Sequence, residues 1–201
     1  MKELFSGIYE WSWFSDEKGY DFNGHLIVSG GERVMIDPPP MTPEEEDQLK
    51  KMGPVSAILI TNVHHVREAE KYRHFFSAKV YAPQKDASGM DIKPDITFND
   101  GDRLPGGLEA VGVPDNKSAG ETALYLRNRE GGIWFLGDAL IGVPVGSLSL
   151  MSADKYKDGT KAKDGVRVLL SRPFEAILVG DGCDVLKQGK SVLERFLAKG
   201  I

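Results

Sequence analysis

The feature that most constrains the fold is a short apolar run followed at once by a polar loop that contains two histidines. Residues 58–60 are consecutive aliphatics, Thr61 and Asn62 end the run, and His64 and His65 follow. This pattern indicates a buried strand that stops at a loop and leads into a helix. In α/β folds, ligands and metals are usually held at the carboxyl ends of such strands.

Length and composition restrict the class of protein. A chain of 201 residues with 41% apolar and 27% charged residues is typical of one globular core, so we expect a single domain over residues 1–201. The net charge of −5 argues against a nucleic-acid partner. Cys183 has no cysteine to pair with, and no apolar run is long enough to span a bilayer. We therefore expect a cytoplasmic protein without a membrane partner.

Strands and helices are predicted to alternate in the first half of the chain. Tyr9, Trp11 and Trp13 alternate along a predicted edge strand, whose aromatic face is a candidate homodimer contact. A hairpin is predicted over 23–37, and Thr42 is the predicted N-cap of the next helix. The central strand, a helix over 67–77 and a strand over 78–83 follow.

The second half is predicted to form a second sheet and two helices. The predicted β segments are 96–98, 102–104, 108–113, 121–126 and 132–136, with a turn at 128–131. A helix over about 160–171 and a final strand over 174–182 come next. Asp184 is the predicted N-cap of a terminal helix.

The stretch around the two histidines resembles the signature of the metallo-β-lactamase superfamily, an apolar strand followed by T-H-x-H-x-D-H and a helix. When the two are aligned at Thr61, Asn62 replaces the first ligand histidine and His64 retains the second. Val66 replaces the aspartate and Arg67 the last histidine. Three of the four ligand positions have therefore changed.

Further landmarks of the same superfamily occur in the right order. A hairpin strand ends in Ile-Asp at Asp37, which would support the site from beneath or simply end the strand. In the stretch that resembles P-G-H-T-P-G, Lys117 stands at the ligand histidine, with Asp115 and Asn116 beside it. These three residues are candidates for the wall of the cleft.

Two carboxylates complete the resemblance. Asp138 follows an apolar strand and a glycine, where the family places an aspartate that bridges two metals. Asp181 replaces the histidine of a G-H-G motif. The ordered landmarks imply a mixed α+β / α/β fold, the four-layer αββα sandwich, with the site at one edge among strand-end loops.

The resemblance implies at most one divalent metal ion (Zn, Fe or Mn), or none. The ligands that remain at family positions are His64, Asp138 and Asp181, and a catalytic zinc needs about three. His65 is interpreted as structural, since neighbours on an extended chain point in opposite directions.

A second interpretation explains the replacements together, and we favour it. Arg67 and Lys117 bring positive charge to positions where the family binds metal, while Asp138 and Asp181 remain. Charge-assisted hydrogen bonds from Arg67 could hold both carboxylates, so that protein cations stand where metal ions stood.

Two functions follow from these interpretations. The first is a diverged hydrolase with a degenerate metal site, acting on an ester, thioester, amide or phosphoester. Its catalytic candidates are His64, Arg67, Lys117 and Asp138, and its cleft candidates are Asp37, Asn62, His65, Asp115 and Asn116. The alternative is a metal-free pseudo-hydrolase that binds a small molecule, an anion or a protein.

Three residues with reactive side chains have no such pattern around them. His25 and His74 have no partner motif in the sequence and are interpreted as structural or surface residues. Cys183 lies near Asp181 but without an evident base, so it is interpreted as a small buried residue.

Overall fold

The structure, a computed structural model that describes residues 1–128 and 131–199, contains two β-sheets. The first sheet consists, in spatial order, of β1 (Lys2–Phe5), β2 (Ile8–Ser15), β3 (Tyr20–Ser29), β4 (Glu32–Ile36), β5 (Ala57–Leu59), β6 (Lys79–Pro83) and β7 (Ile96–Phe98). The second consists of β8 (Arg103–Leu104), β9 (Leu108–Gly112), β10 (Thr122–Leu126), β11 (Ile133–Leu136) and β12 (Ala176–Val179).

Both sheets are mixed. Strands β1 to β4 are antiparallel, whereas β4 to β7 are parallel; in the second sheet β11 and β12 are parallel and the other pairs are antiparallel. Parallel neighbours need crossover connections. The helices are α1 (Pro43–Met52), α2 (Ala69–Phe76), α3 (Gly159–Gly165) and α4 (Gly189–Ala198). Helices α1 and α2 are the crossovers that flank β5.

Three apolar cores show how the layers stack. Ile58 packs with residues of α1 and α2 on the outer face of the first sheet. Its neighbour Leu59 faces the opposite way and packs between the sheets with Leu124 and Phe135. Trp134 packs with residues of α4 on the outer face of the second sheet. The order is helix, sheet, sheet, helix, which confirms the predicted αββα sandwich.

The predicted start of α1 is also confirmed. Thr42 Oγ1 accepts a hydrogen bond from the backbone N–H of Glu45, and the carboxylate of Glu45 accepts one from the N–H of Thr42. Pro43 occupies the first turn, where its missing N–H costs nothing. This capping box defines the start of the helix directly after Thr42.

One prediction about strands is confirmed in part and another is wrong. Strand β1 pairs with β2 only at residues 8–10, so residues 11–15 pair with β3 alone and lie at the edge as predicted. Strand β7 belongs to the first sheet, where it pairs with β6, and not to the second. The local sequence pattern predicts the strand but not the strand that it pairs with, since a three-residue apolar segment can pair at the edge of either sheet.

The end of the chain also departs from prediction. Asp184 does not cap the terminal helix; Gln188 precedes α4, and Asp184 Oδ1 accepts a hydrogen bond from the N–H of Val179. The chain first pairs back along β12, with Val185 bridging Ile177, and this delays the helix. The predicted helix over 160–171 is α3 followed by a short 3-10 helix. The predicted turn at 128–131 includes residues outside the described ones.

Among the described residues, no helix is both long and apolar enough to cross a membrane.

Packing at Gly24 offers a test of the fold. A Cβ at Gly24 would lie 2.5 Å from Cδ of Pro39 and closer still to the indole ring of Trp11. The Trp11 ring is buried and donates its N–H to the carbonyl of Pro39, so it cannot easily give way. We expect Gly24→Ala to lower the free energy of unfolding by about 1 to 3 kcal/mol, measured by urea denaturation. Gly159→Ala is the control, because no atom lies within 4 Å of the added methyl group. Equal unfolding midpoints for the two variants would contradict this packing.

Candidate functional site

Polar residues follow four strands at one edge of the sandwich. Asp37 follows β4, Thr61 follows β5, Asp138 follows β11 and Asp181 follows β12. Strands β4 and β5 are parallel, and so are β11 and β12, so their carboxyl ends point the same way within each pair. The two sheets are joined here, because the N–H of Asn23 on β3 donates to the carbonyl of Gly180.

A pocket of about 440 Å³ opens at this edge. It is lined by Lys18, Tyr20, Phe22, His64, His65, Arg67, Lys117, Asp138, Ile141, Met151, Ser152, Lys155 and Asp181. The residues proposed from the sequence that converge on it are His64, His65, Arg67, Lys117, Asp138 and Asp181. Asp37 and Asn62 are buried and are not among its lining residues. Asp115 and Asn116 precede Lys117 and do not line the pocket either.

Asp37 anchors the floor. Its Oδ1 accepts a hydrogen bond from the N–H of Thr61 at 2.8 Å, and its Oδ2 accepts one from the Thr61 hydroxyl at 2.5 Å. The same Oδ2 lies 2.9 Å from Nδ1 of His65. The aspartate that ends β4 therefore fixes both the loop after β5 and the ring of His65.

His65 lies between two carboxylates. Besides its contact with Asp37, its Nε2 lies 3.4 Å from Oδ1 of Asp138. Burial and the charge of Arg67 oppose protonation, but Asp37 and Asp138 outweigh them and raise the pKa of His65 above its ordinary value. An imidazolium that donates from both nitrogens matches this geometry. The sequence predicted that only one of the two adjacent histidines faces the site, because neighbours on an extended chain point apart. Residues 63–65 instead form a 3-10 turn, and both histidines line the pocket.

His64 has a different environment from His65. Its side chain is exposed at the pocket, and its backbone N–H donates to Oδ1 of Asn62 at 2.8 Å. Burial and the charge of Lys117 lower the pKa of His64. The sequence assigned His64 as the metal ligand, yet the residue that the fold brings against Asp138 is His65.

Arg67 holds the end of β12 against the first sheet. Its Nη1 donates to the carbonyls of Asn23 at 2.7 Å and Asp37 at 3.1 Å. Its Nη2 donates to the carbonyl of Gly180 at 3.0 Å and to Oδ1 of Asp181 at 2.8 Å. The backbone of Arg67 has a φ of +45°, which is strained for a residue with a side chain, so these four bonds hold an unfavourable conformation in place.

Lys117 neutralises the other pocket carboxylate. Its Nζ lies 2.9 Å from Oδ2 of Asp138, a side chain that is only 1% exposed. Burial opposes ionisation of Asp138, but His65 and Lys117 together hold its pKa well below the ordinary range. The pKa of Asp181 is raised instead, because the effect of burial exceeds the opposing effect of the charges of His65 and Arg67. Arg67 therefore does not hold both carboxylates, as the sequence interpretation supposed; the two cations share them.

Two buried acids contribute to the site, and the sequence interpretation missed both. Asp86 accepts hydrogen bonds from the N–H groups of Val63 and Gly120, at 2.9 and 2.7 Å, and so ties the loop that carries the histidines to the one that carries Lys117. Glu121 accepts from the N–H of Ala139, while its second oxygen has no hydrogen-bond partner. Burial raises the pKa of Glu121 well above its ordinary value. Glu121 directly precedes an apolar strand, and a charged residue in such a position is a sequence signal that could have identified this buried acid.

The donor set can be compared with what a divalent metal needs. His65, Asp138 and Asp181 offer ligand atoms that all lie within 4.8 Å of one another. Each of these side chains already contacts an oppositely charged group: His65 is between carboxylates, Asp138 is bound by Lys117 and Asp181 by Arg67. A metal ligand must be a neutral imidazole or a free carboxylate. A divalent ion bound by these three residues would have to displace Lys117 from Asp138 and Arg67 from Asp181.

The Arg67 contacts predict a large effect on stability. Arg67→Ala would leave Asp181 buried without its counter-charge and three carbonyls without a donor. We expect a loss of about 3 to 5 kcal/mol in the free energy of unfolding, measured by urea denaturation. Arg167→Ala is the control, since Arg167 pairs with Asp164 in an exposed salt bridge and should cost less than about 1 kcal/mol. Similar losses in both variants would show that the Arg67 bonds contribute little.

Comparison with known proteins agrees with this architecture. The model of the Metallo-beta-lactamase superfamily matches residues 1–200. The metallo-β-lactamase from Pontibacter korlensis superposes with a TM-score of 0.74 at 16% identity, over 98% of this chain and 96% of that one. DIM-1 metallo-β-lactamase exposed to ceftazidime gives 0.73 at 17% identity, over 96% and 95%. The enzyme from Hirschia baltica gives 0.72 at 15% identity, over 98% and 94%.

These structures have low identity to the chain and establish the fold alone. Among curated proteins, none matches the sequence. The family match covers nearly the whole chain, and the ordered strand-end residues described above lie at the edge where the sheets meet. The chain belongs to the metallo-β-lactamase superfamily.

Proposed function

We propose that this chain is a metal-free member of its superfamily whose pocket binds a small anionic molecule, and that it serves as a binding module. The observation that carries the proposal is the pairing of Arg67 with Asp181 at 2.8 Å and of Lys117 with Asp138 at 2.9 Å. Both cations stand at positions that the family resemblance assigns to metal ligands.

Electrostatics supports the absence of a metal from the pocket. Burying carboxylates without counter-charge is costly, and the family balances its ligands with metal ions. Here Arg67, Lys117 and His65 supply that positive charge. A divalent ion would have to displace hydrogen-bonded cations and would be repelled by them at short range.

The mouth of the pocket favours an anion with an apolar body. Lys18 and Lys155 line it with exposed ammonium groups. They pair with Glu17 and Asp154, which are themselves exposed, and such surface pairs are weak. The walls are largely apolar or aromatic and consist of Tyr20, Phe22, Ile141 and Met151. A phosphate or carboxylate joined to a ring or an alkyl group would match both parts.

Phenyl phosphate is a suitable probe of this proposal. We expect it to bind, and Lys18→Ala combined with Lys155→Ala to weaken binding about tenfold, since two charge-assisted hydrogen bonds are lost. Isothermal titration calorimetry measures the affinity. Lys157→Ala is the matched control, because Lys157 lies on the same segment but does not line the pocket. Equal affinity of the double variant, or equally tight binding of neutral benzyl alcohol, would contradict an anion site.

The alternative is the mononuclear hydrolase, which the proximity of His65, Asp138 and Asp181 favours. In that case His64, Asp138, Arg67 and Lys117 are the catalytic candidates. The test is hydrolysis of ester, thioester, amide and phosphoester substrates with added zinc, iron or manganese. We expect no metal-dependent turnover of any of these substrates, either by the unaltered chain or by Asp138→Asn. Metal-dependent turnover that is lost in Asp138→Asn would contradict our proposal and support the hydrolase instead.

The cytoplasmic location and the homodimer remain predictions.

A further inference from the structure

A second cluster of ionisable residues lies outside the pocket. Glu10 on β2, His25 on β3 and Asp184 after β12 offer ligand atoms that all lie within 4.8 Å of one another. None of the three lines the pocket described above. No sequence motif connects these residues, since they come from three separate segments.

Strand register places these side chains on a common face. Glu10 is directly opposite His25 in the antiparallel pairing of β2 with β3, so both side chains project from the same side of the first sheet. That side faces the second sheet, because the His25 ring packs edge-on against Phe135 of β11 at 5.4 Å. Asp184 reaches the cluster from the second sheet, where its Oδ1 accepts a hydrogen bond from Val179.

Two atoms in this cluster are buried without a hydrogen-bond partner. They are Nε2 of His25 and Oδ2 of Asp184, which lie 3.8 Å apart. The side chains are 3% and 7% exposed, so bulk water does not solvate them. A buried unpaired acceptor is costly, and native structures contain few of them. A species bound between these two atoms would satisfy both of them at once.

The dimensions suit a metal ion. Zinc binds imidazole nitrogen and carboxylate oxygen at about 2.1 Å, so two ligands of one tetrahedral ion lie about 3.4 Å apart. The 3.8 Å separation of His25 Nε2 and Asp184 Oδ2 is longer by a few tenths of an ångström, so a small side-chain rotation would bring both atoms to an ion between them. The other oxygen of Asp184 is fixed by Val179, and the His25 ring by Phe135, so both ligands are held in orientation.

Charge distinguishes this cluster from the pocket. In the pocket an arginine and a lysine contact the carboxylates, whereas here Glu10 and Asp184 lie beside His25, and the nearby Lys2 is exposed. Two carboxylates therefore converge on one imidazole. A divalent cation would supply the missing charge.

We propose that Glu10, His25 and Asp184 form a metal site for a divalent transition ion such as zinc. One imidazole and two carboxylates are suitable ligands for zinc, and a fourth position would be left for water beside the half-buried Glu10. The bound ion joins β2 and β3 of the first sheet to the segment after β12 of the second. The site is independent of the proposed function of the pocket.

The test is zinc binding to the full chain after treatment with a chelator, measured by isothermal titration calorimetry and by thermal unfolding. We expect one zinc per chain and a higher melting temperature with zinc. Glu10→Gln, which keeps the size of the side chain, should weaken binding at least tenfold, and His25→Gln should do the same. Glu194→Gln, which changes an exposed carboxylate on α4, is the matched control and should leave zinc affinity unchanged, and Asp138→Asn tests whether the ion binds in the pocket instead.

Several outcomes would overturn the site. They are the absence of binding at millimolar zinc, unchanged affinity in Glu10→Gln, and loss of binding in Asp138→Asn alone, which would place the ion in the pocket. If the variants do not fold, anomalous scattering at the zinc edge from crystals of the unaltered chain decides the matter. A peak between His25 and Asp184 supports the proposal, and its absence rejects it.

Discussion

The site edge of this protein depends on one constraint, which is that buried carboxylates at strand ends must be neutralised. Asp181 is compensated by the guanidinium of Arg67, whose other bonds reach carbonyls on β3, after β4 and after β12. One side chain therefore neutralises charge and joins the two sheets. The strained backbone of Arg67 is tolerated because this network fixes it.

The same constraint is met differently in the two ionisable clusters. Around the pocket, Lys117 and Arg67 contact the carboxylates, so the charge is balanced by the chain itself. Around His25, two carboxylates converge and two buried atoms have no hydrogen-bond partner. A metal ion in the pocket would compete with Lys117 and Arg67 for the carboxylates. At the proposed site beside His25, the ion would instead meet two carboxylates and an imidazole.

Much of the fold could be read from the sequence, because its signals are local. Three aliphatics before Thr61, a capping box at Thr42 and a glycine before Asp138 each define the end or the start of an element within a few residues. Their order along the chain then indicated the αββα sandwich. The partner of β7 was predicted wrongly, since a three-residue strand carries no information about which sheet edge is open to it.

From the residues alone, the resemblance predicted Arg67 and Lys117 at ligand positions and Asp138 and Asp181 at strand ends, because each follows a short local motif. Only the tertiary structure decided that His65 rather than His64 meets Asp138, since a 3-10 turn rotates the two rings in a way that no residue pattern specifies. It alone placed His25 against Asp184. Contacts between segments so distant in the chain arise from strand register and sheet packing, and these have no local signature.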